Sequence, residues 1–315
     1  MLKLIKEHGG DKMELLKMIE GIRSPFFDVL VGFITRLGEE ELLIAVFCIA
    51  FWCINKMFAY KTGTVFFLSG ITVQGMKIGF RIERPWVLDP SFNPVESAMV
   101  RATGYSFPSG HTQAGASLFG SLGMQFKQIY LKVIFFTIVV LIAFSRMYLG
   151  VHTLQDVATS VILTLIIIII TFKIFSGDLQ NKKRLLAISL FIIMYSAAGI
   201  IFAFILLSNG KIDQVYVVDY LKAAGAAIGF AVAMYIENVY IRFSVKTKNI
   251  GMQILKVVIG VIGIGIFLEG LKLVIGTSMV ANTVRYFLLN MWIVAIYPLV
   301  IKRFFSVPDE TNNVG

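Results

Sequence analysis

Ten long runs of mostly apolar residues follow one another along this 315-residue chain. A helix that crosses a lipid bilayer needs about 20 such residues, because it must cover roughly 30 Å of hydrocarbon. Only 15% of the residues are charged and 57% are hydrophobic, with a mean hydropathy of +0.81, whereas soluble domains carry roughly 25% charged residues. The sequence therefore predicts an all-α, polytopic transmembrane helical bundle. The predicted spans lie near residues 15–37, 41–58, 62–80, 110–126, 130–148, 153–174, 185–208, 215–241, 250–274 and 283–303.

The first predicted span is the weakest of the ten. Pro25 interrupts it and charged residues crowd its first half, so we expect it to lie partly in the membrane interface as an amphipathic helix. The stretch before it lacks the roughly 7–15-residue apolar core of a secretory signal peptide, and we interpret residues 1–14 as a cytoplasmic amphipathic lead-in. The two cysteines, Cys48 and Cys53, share one apolar run and are interpreted as ordinary lipid-buried side chains.

The basic residues cluster in every second linker between the spans. If the N-terminus is cytoplasmic, alternation of the spans places five basic linkers on the cytoplasmic side, in agreement with the positive-inside rule. We therefore predict cytoplasmic N- and C-termini, with residues 81–109 and 145–152 on the outer face. This orientation explains the net charge of +10, and no nucleic-acid site is predicted because basic and aromatic residues do not interleave. The five linkers contain Lys56 and Lys61; Lys127 and Lys132; Lys173, Lys182, Lys183 and Arg184; Arg242, Lys246 and Lys248; and Lys302 and Arg303.

Two polar stretches on the outer face carry groups that bind anions. The stretch KIGFRIERP places Lys77 and Arg84 seven residues apart, a spacing that two turns of helix would bring to one face. The stretch YSFPSGHTQ, residues 105–113, is predicted to be a turn that opens a helix. The backbone amides near Gly110 and His111 would then be available to an anion, because the N-terminus of a helix has unpaired N–H groups and a positive dipole end.

A third polar stretch, SRMYLGVHTLQD at residues 145–156, separates two long apolar runs. Arg146 ends one predicted span and His152 begins the next, and Asp156 lies one helical turn beyond His152 on the same face. Ionisable groups at a membrane boundary are costly unless they are paired, hydrated or functional. This stretch is therefore predicted to lie at a site.

Together the three stretches predict a phosphate site. Arginine can bind phosphate through two parallel hydrogen bonds. Asp156 can accept the Nδ1–H of His152, which leaves Nε2 as an unprotonated nucleophile or base. His111 has no carboxylate in its own stretch and is the better candidate for the proton donor; His8, the third histidine of the chain, is given no role. The predicted phosphate-binding residues are Lys77, Arg84, Ser109, Gly110 and Arg146.

The three stretches resemble the signature of the type 2 phosphatidic acid phosphatase superfamily, which includes membrane lipid phosphatases, glucose-6-phosphatase and vanadium haloperoxidases. The pattern K-x(6)-R-P begins at Lys77, P-S-G-H ends at His111, and S-R-x(5)-H-x(3)-D runs from Ser145 to Asp156. Every defining position is filled, in the order and at the spacing of the family pattern.

The resemblance implies a lipid phosphatase, that is, a hydrolase of phosphoric monoesters or diphosphates that uses no metal ion or other cofactor. It implies that His152 attacks phosphorus and forms a phosphohistidine, that Asp156 orients His152, and that the five phosphate-binding residues hold the phosphate. His111 would protonate the leaving oxygen and then activate water. The sequence agrees with metal independence, since it contains no carboxylate cluster of metal-binding type.

The resemblance also divides the chain into segments. Residues 15–175 would form a six-span phosphatase core with an active-site loop at 81–110, residues 185–303 an extension of about four further spans, and residues 304–315 a cytoplasmic tail. Within the extension, small residues predict close helix packing. Two pairs of opposite charges at i,i+3 spacing are interpreted as interfacial pairs whose members neutralise each other, with a wall of the substrate vestibule as the alternative. These features are GAAIG (225–229), GVIGIG (260–265), Asp219 with Lys222, and Glu269 with Lys272.

We expect the protein to hydrolyse a lipid phosphate or pyrophosphate in a bacterial cytoplasmic membrane, with the bilayer and its lipid phosphate as partners. Undecaprenyl pyrophosphate is the first choice of substrate, because recycling of that carrier requires outward-facing activity. Phosphatidic acid, phosphatidylglycerol phosphate and a sphingoid-base phosphate are alternative substrates. Transfer of the phosphoryl group to another lipid, and lipid transport or scrambling by the extra spans, are alternative functions. A haloperoxidase is disfavoured because the chain is embedded in the membrane, and no oligomeric state is predicted.

Overall fold

The computed structural model describes residues 9–176 and 182–307 of the protein. Every regular element in these residues is a helix, and none is a β-strand, as the sequence predicts. In chain order the helices are α1 (Gly9–Glu20), α2 (Pro25–Arg36), α3 (Glu40–Ile49, then π-helical Ala50–Ile54), α4 (Lys56–Phe80), α5 (Pro85–Leu88), α6 (Glu96–Met99), α7 (Gly110–Gly115, π-helical Ala116–Gly120 and Ser121–Gln125), α8 (Ile129–Tyr148), α9 (Leu154–Ile174), α10 (Lys182–Ser208), α11 (Gln214–Ile236, then π-helical Glu237–Ile241), α12 (Ile250–Gly265, π-helical Ile266–Gly270 and Leu271–Ile275) and α13 (Met279–Met291, π-helical Trp292–Ile296 and Tyr297–Phe304).

Six helices in the described part of the chain are long and apolar enough to cross a membrane. They are α8 to α13, so the region from Lys182 onward contributes four of them. The sequence predicts ten spans. Helices α3, α4 and α7 coincide with three of the other predicted spans. Helices α3 and α7 are shorter than these six helices, whereas α4, with 25 residues, is long enough but less apolar.

The prediction of a first span at residues 15–37 is wrong, because this region forms two helices. Residues 21–24 separate α1 from α2, and each helix has 12 residues, which corresponds to a length of roughly 18 Å and is too short for a bilayer. Ser24 caps α2 by accepting a hydrogen bond from the amide of Phe27 (3.4 Å), and Pro25 occupies the first helical position. The polar residues before Pro25 therefore start a new helix.

Helix α1 packs against the predicted active-site loop. Leu16 is completely buried and belongs to one apolar cluster with Phe92 of that loop and Leu149 of the third polar stretch. Lys17 forms an ion pair with Asp89 (2.7 Å), also in the loop. The apolar face of α1 is therefore covered by the residues around the three polar stretches, and α1 lies on their side of the bundle.

This position of α1 differs from the prediction for residues 1–14. A cytoplasmic lead-in would be separated by a membrane span from the polar stretches, which are predicted to lie on the outer face. The part of the lead-in before Gly9 lies outside the described residues, as do residues 177–181 and most of the predicted tail at 304–315. The predicted membrane side of the later basic linkers does not change. Helix α3 follows α2 directly, and the spans from α3 onward still alternate in the same way.

The chain divides into two compact units. Unit 1 comprises Met1–Leu43 and Thr72–Ile170, and unit 2 comprises Ile44–Ile71 and Thr171–Gly315. All three polar stretches belong to unit 1. Unit 2 contains the predicted extension together with Ile44–Ile71. The sequence assigns Ile44–Ile71 to the core, but in the structure these residues make most of their contacts within unit 2.

Small residues allow close helix packing in unit 2, as the sequence predicts. A Cβ atom added to Gly225 would lie 2.4 Å from the carbonyl oxygen of Thr283, and one added to Gly229 would lie 2.4 Å from that of Phe287. The backbones of α11 and α13 are therefore in direct contact. Gly260 likewise faces the ring of Trp52: a Cβ atom added to Gly260 would lie 2.4 Å from a ring carbon of Trp52.

Three acidic residues of unit 2 form ion pairs with lysines. The predicted pairs are present: Lys222 Nζ lies 2.9 Å from Asp219 and Lys272 Nζ lies 3.5 Å from Glu269. A third acid, Glu237, is fully buried near the end of α11 and accepts hydrogen bonds from Lys56 Nζ (2.8 Å) and the Tyr60 hydroxyl. Because a buried carboxylate is costly without partners, these contacts fix the end of α11.

Candidate active site

The first polar stretch leaves its helix before it reaches Arg84. Helix α4 ends at Phe80, and Arg81 adopts a left-handed backbone conformation with φ of 54°. Arg84 then lies in extended backbone, so the expectation that Lys77 and Arg84 share one helix face is wrong. The two side chains still converge, because both bind the backbone segment at residues 103–105. Lys77 Nζ donates to the carbonyl of Tyr105 (2.9 Å). Arg84 donates to the carbonyls of Gly104 and Thr103.

Arg84 is buried, and protein atoms surround its guanidinium. Its Nε donates to the carbonyl of Gly104 (2.9 Å) and its Nη2 to that of Thr103 (2.7 Å). Its Nη1 donates to the carbonyl of Val151 (2.9 Å) and lies 3.0 Å from His152 Nε2. These bonds join the first and third polar stretches and use four of the five N–H groups of the guanidinium. A phosphate that accepts more than one hydrogen bond from Arg84 must therefore replace some of them.

The tautomer of His152 follows from its two neighbours. A guanidinium can only donate hydrogen bonds, so His152 Nε2 accepts one from Arg84. The ring proton is then on Nδ1, which lies 3.3 Å from Asp156 Oδ2. The same carboxylate oxygen accepts from the hydroxyl of Ser106 (2.6 Å) and the amide of Thr153 (2.8 Å). His152 and Asp156 therefore have the geometry that the four-residue spacing predicts.

The surroundings of His152 keep its ring neutral. Burial lowers the pKa of His152 well below its usual value of about 6.5, and the positive charges of Arg84 and Arg146, followed by that of Lys77, lower this pKa further. Its Nε2 therefore carries an unprotonated lone pair at neutral pH.

The second polar stretch forms the start of α7. Ser109 is its N-cap: the hydroxyl accepts hydrogen bonds from the amide (3.4 Å) and the hydroxyl (3.0 Å) of Thr112. The amide of Ser109 donates to the carbonyl of Asp156 (3.2 Å), which joins this stretch to the third. A Cβ atom added to Gly110 would meet no atom within 4 Å, so the space beside this first helical residue is open to a ligand.

Arg146 occupies the last turn of α8 and is 2% exposed. Its Nη1 donates to the hydroxyl of Thr35 in α2 (2.7 Å), whereas its Nε is buried and has no partner among the described residues. The carbonyl of Arg146 accepts from the amide of His152 (3.3 Å), a contact that a turn with a positive φ of 76° at Gly150 permits. Arg146 thus has a donor available for a ligand.

A cavity of about 630 Å³ in unit 1 reaches two of the predicted site residues, His111 and Arg146. Residues of α2 form much of the rest of its wall, together with Glu39, Ser97, Ala98, Arg101 and Leu149. This volume is typical of small-molecule sites. A substrate can therefore reach His111 and Arg146 through the cavity.

The structure brings together all eight residues that the sequence assigns to the site, and it adds two that the sequence analysis missed. Ser106 binds the carboxylate of Asp156, and Thr35 binds Arg146. The position of Ser106 inside the second stretch was a signal for its role, whereas nothing in the sequence around Thr35 points to the site. Across the described ranges 9–176 and 182–307, three or more His, Cys, Asp or Glu side chains nowhere form a group that could bind a metal ion.

Two family models match the chain. Residues 58–179 match the PAP2 superfamily, and residues 221–308 match the PAP2 superfamily phosphatase, transmembrane extension. The chain therefore contains a PAP2 superfamily domain and the PAP2 transmembrane extension. It is a membrane phosphatase of the PAP2 type, and the segment after the core is the extension that the second model describes.

Individual proteins are similar to part of the chain. The chain is 26% identical over 147 residues to phosphatidylglycerophosphatase B of Bacillus subtilis (strain 168), a match that covers 43% of this chain and 69% of the relative. Among solved structures, a transmembrane PAP2-type phosphatidylglycerolphosphate phosphatase from Bacillus subtilis is 23% identical, with a TM-score of 0.44 over 52% of this chain and 84% of the other. LpxE of Aquifex aeolicus is 21% identical, with a TM-score of 0.41 over 51% and 94%.

Proposed function

We propose that the protein hydrolyses a lipid phosphate or diphosphate through a covalent phosphohistidine at His152, without a metal ion, on the outer face of a bacterial cytoplasmic membrane. The observation that carries the proposal is the hydrogen bonding of His152, in which Nδ1 faces Asp156 and Nε2 accepts from Arg84. A neutral imidazole with its lone pair beside a guanidinium is suited to attack a phosphorus atom whose oxygens that guanidinium binds.

Lipid phosphate phosphatase activity is the activity that family membership and the Bacillus subtilis relative give this chain. The proposal adds the covalent intermediate, the metal independence, the substrate and the side of the membrane.

In the first proposed step, the phosphate takes the place of His152 Nε2 as the partner of Arg84, and it also binds Lys77, Arg146 and the amides at the start of α7. Nε2 then forms a bond to phosphorus while the bond from phosphorus to the leaving oxygen breaks. In the free protein, burial and then the charge of Arg146 lower the pKa of His111 to about 3, so its ring is neutral there. The negative charge of the bound phosphate favours the protonated ring, which gives its proton to the leaving oxygen. Asp156 stabilises the positive charge that His152 acquires.

In the second proposed step, water attacks the phosphohistidine. His111, now neutral, takes a proton from the water molecule while its oxygen bonds to phosphorus and the bond from nitrogen to phosphorus breaks. The products are inorganic phosphate and a dephosphorylated lipid, and both histidines return to their initial protonation states. The arginines stabilise the charge on the phosphoryl oxygens in both steps.

Undecaprenyl pyrophosphate is the proposed substrate, because the basic linkers support an outward-facing site and recycling of that carrier requires one. The name of the Bacillus subtilis relative favours phosphatidylglycerol phosphate as the second candidate. Release of inorganic phosphate from a panel of purified lipids separates these two and the remaining candidates, phosphatidic acid and a sphingoid-base phosphate. The proposal predicts the highest kcat/KM for undecaprenyl pyrophosphate.

Two other functions make different predictions for the same protein. A phosphotransferase would pass the phosphoryl group to another lipid, so that phosphorylated acceptor would accumulate in place of free phosphate. A transporter or scramblase would move lipid between leaflets at a rate that does not depend on His152. We expect release of free phosphate in amounts equal to the substrate consumed, and complete dependence of that release on His152.

A single-turnover experiment with nitrophenyl phosphate tests the assignment of the two histidines. Nitrophenolate leaves without a proton, so His111→Ala is expected to retain a partial burst of nitrophenolate together with acid-labile phosphate on the protein. His152→Ala is expected to give neither, and Asp156→Asn an intermediate burst, because the nucleophile remains but its tautomer is no longer held. A burst from His152→Ala and none from His111→Ala would reverse the two roles.

Metal independence is tested separately. Activity is expected to survive EDTA, and vanadate is expected to inhibit because it mimics pentacoordinate phosphorus. Loss of activity in EDTA that Mg²⁺ restores would contradict a metal-free mechanism.

A further inference from the structure

The cavity beside His111 and Arg146 contains charged residues that belong to none of the three polar stretches that define the site. They come from α2, from the residue before α3 and from the segment between α6 and α7, and they are Asp28, Arg36, Glu39 and Arg101. The chemical step does not use them. Their arrangement indicates which part of a substrate the cavity receives.

The two acids already have partners within the protein. Asp28 accepts a hydrogen bond from the Tyr148 hydroxyl (2.9 Å), and Glu39 forms an ion pair with Arg101 Nη1 (2.6 Å). The arginines are less constrained. Arg36 is exposed and makes no ion pair with any described residue; its guanidinium stacks on the ring of Phe33, 5.3 Å from the centroid. The Arg101 side chain is 58% exposed, and Glu39 is its ion-pair partner.

Two guanidinium groups with free donors in one cavity suit a phosphate group, because arginine binds phosphate through parallel hydrogen bonds. This phosphate is not the one under attack, which would bind Arg84, Arg146 and the start of α7; the cavity meets that site at Arg146 and His111. In a diphosphate the second phosphate shares a bridging oxygen with the first, and it must therefore lie in space that adjoins the reaction centre.

We propose that Arg36 and Arg101 form a subsite for a second phosphate group of the lipid substrate, and that Glu39 holds Arg101 until the substrate displaces it. The inference rests on the proposed function and adds a substrate class, namely lipids with two phosphorus centres. Two sources carry this chemistry: an isoprenyl diphosphate, and a glycerolipid with both a phosphodiester and a terminal phosphate. A lipid monophosphate leaves the subsite empty.

Matched pairs of substrates test the subsite. The first pair is farnesyl diphosphate and farnesyl phosphate, and the second is phosphatidylglycerol phosphate and phosphatidic acid with identical acyl chains. Within each pair, the fall in the ratio of kcat/KM for the doubly phosphorylated lipid to that for the monophosphate, when an arginine is replaced, measures recognition of the second phosphate. The wild-type ratio alone does not, because a diphosphate also has a better leaving group than a monophosphate. The pair whose ratio falls more in the arginine variants identifies the source.

Substitutions assign the preference to the two arginines. Arg101→Gln and Arg36→Gln are each expected to lower the ratio by about tenfold, mainly through KM, because a hydrogen-bonded charge contact is lost. Arg101→Lys is expected to keep part of the preference, since the charge remains. Arg303→Gln, at an exposed arginine at the end of α13 in unit 2, is the matched control and should leave the ratio unchanged.

The role of Glu39 is tested with Glu39→Gln. Because this change removes the group that competes for Arg101, it is expected to lower KM for the doubly phosphorylated lipid. If Glu39 only anchors the loop between α6 and α7, the change will instead weaken turnover of both lipids in a pair.

The outcomes separate the subsite from the proposed function. Equal losses on both lipids of a pair, or no loss in either arginine variant, would overturn the subsite while the phosphohistidine remained intact. Failure of the wild type to form a phosphohistidine would instead overturn the proposed function. If Arg101→Gln does not fold, Arg36→Gln and Arg101→Lys still give the decisive ratios.

Discussion

At the scale of single residues, His152 combines a nucleophilic nitrogen with a lowered affinity for protons. Burial and the nearby positive charges of Arg84 and Arg146 lower its pKa well below 6.5. We predict that His152 is still neutral at a pH of about 5.5, where an exposed histidine is mostly charged. The measurement is the ¹⁵N chemical shift of the imidazole in detergent, with His8→Gln and His111→Gln present so that one histidine remains. Titration of that signal near pH 6.5 would contradict the prediction.

The lowered pKa of His152 also makes the free energy of unfolding depend on pH. The unfolded chain takes up a proton on His152 below a pH of about 6.5, whereas the folded protein does not. The unfolded state therefore binds more protons in this range, and the contribution of His152 to the free energy of unfolding falls as the pH drops below 6.5. It is constant above that pH, where the residue is neutral in both states.

Arg146, a proposed phosphate ligand, forms a hydrogen bond with Thr35, a residue outside the three polar stretches. Arg146→Lys keeps the charge but loses the planar donors, and we expect it to cost about 2–4 kcal/mol in kcat/KM. Thr35→Val removes only the hydroxyl that accepts from Nη1, and we expect a smaller loss of about 1 kcal/mol. Thr35→Ser keeps the hydroxyl and should therefore be more active than Thr35→Val if the hydroxyl orients Arg146. Thr283→Val, at a threonine of unit 2 whose hydroxyl donates to a carbonyl of its own helix, is the matched control and should leave kcat/KM unchanged.

The residues that the sequence could predict are those that lie in short stretches with fixed spacing. His152 and Asp156 are one helical turn apart, so the contact between them follows from local geometry alone. The approach of Lys77 to Arg84 depends instead on how the chain folds back at residues 103–105. Thr35 is 111 positions from Arg146, and no local pattern connects residues at that separation.

At the scale of helices, the contact between α11 and α13 depends on the absence of side chains at two glycines. Gly229→Ala would place a Cβ atom 2.4 Å from the carbonyl oxygen of Phe287, and we expect the forced separation to cost about 1–3 kcal/mol. Gly265→Ala is the matched control, because a Cβ atom at Gly265 in α12 meets nothing within 4 Å. This control should be neutral or stabilise the helix by up to about 1 kcal/mol.

The midpoints of thermal unfolding in detergent compare these two variants. A lower midpoint for Gly229→Ala with an unchanged or higher midpoint for Gly265→Ala is the expected result. Equal midpoints would mean that α11 and α13 separate without loss, and that the close approach of their backbones does not contribute to stability.

Helix boundaries were predictable where apolar runs are uninterrupted and not where polar residues interrupt them. The helices from α8 to α13 begin and end within a few residues of the predicted spans. The first predicted span failed because its apolar residues belong to two short helices that Ser24 and Pro25 separate. The average composition of residues 15–37 does not reveal this break. The capping hydrogen bond at Ser24 fixes the residue at which the second helix begins.

At the scale of the whole molecule, the orientation in the membrane remains a prediction from the basic linkers, and the position of α1 makes its test sharper. The contact of Lys17 with Asp89 places α1 beside the active-site loop. If the site faces outward, α1 must then face outward too, with its lysines on the side that the positive-inside rule disfavours. The later linkers outnumber these residues, and we therefore expect them to determine the orientation.

Three single cysteines test this orientation in intact cells, in a background in which Cys48 and Cys53 are replaced by alanine. Glu96→Cys reports on the loop between α5 and α7, Glu14→Cys on α1, and Lys248→Cys on the linker between α11 and α12; all three positions are exposed. Five predicted spans separate position 96 from position 248, so the two must lie on opposite sides. We expect a membrane-impermeant maleimide to label Glu96→Cys and Glu14→Cys, and to label Lys248→Cys only after permeabilisation.

The three labelling patterns distinguish the hypotheses, because each corresponds to a different placement of α1 and of the loop between α5 and α7 in the membrane. Labelling of Lys248→Cys alone in intact cells would mean that the active site faces the cytoplasm, and it would remove the main reason for choosing undecaprenyl pyrophosphate. Labelling of Glu96→Cys without Glu14→Cys would keep the outward site but detach α1 from the loop. Loss of the apolar cluster around Leu16, which is fully buried, should then have no effect on activity. If instead both positions label together, Leu16→Ala should loosen the loop and lower the thermal midpoint, because a buried leucine contributes about 2–5 kcal/mol to folding.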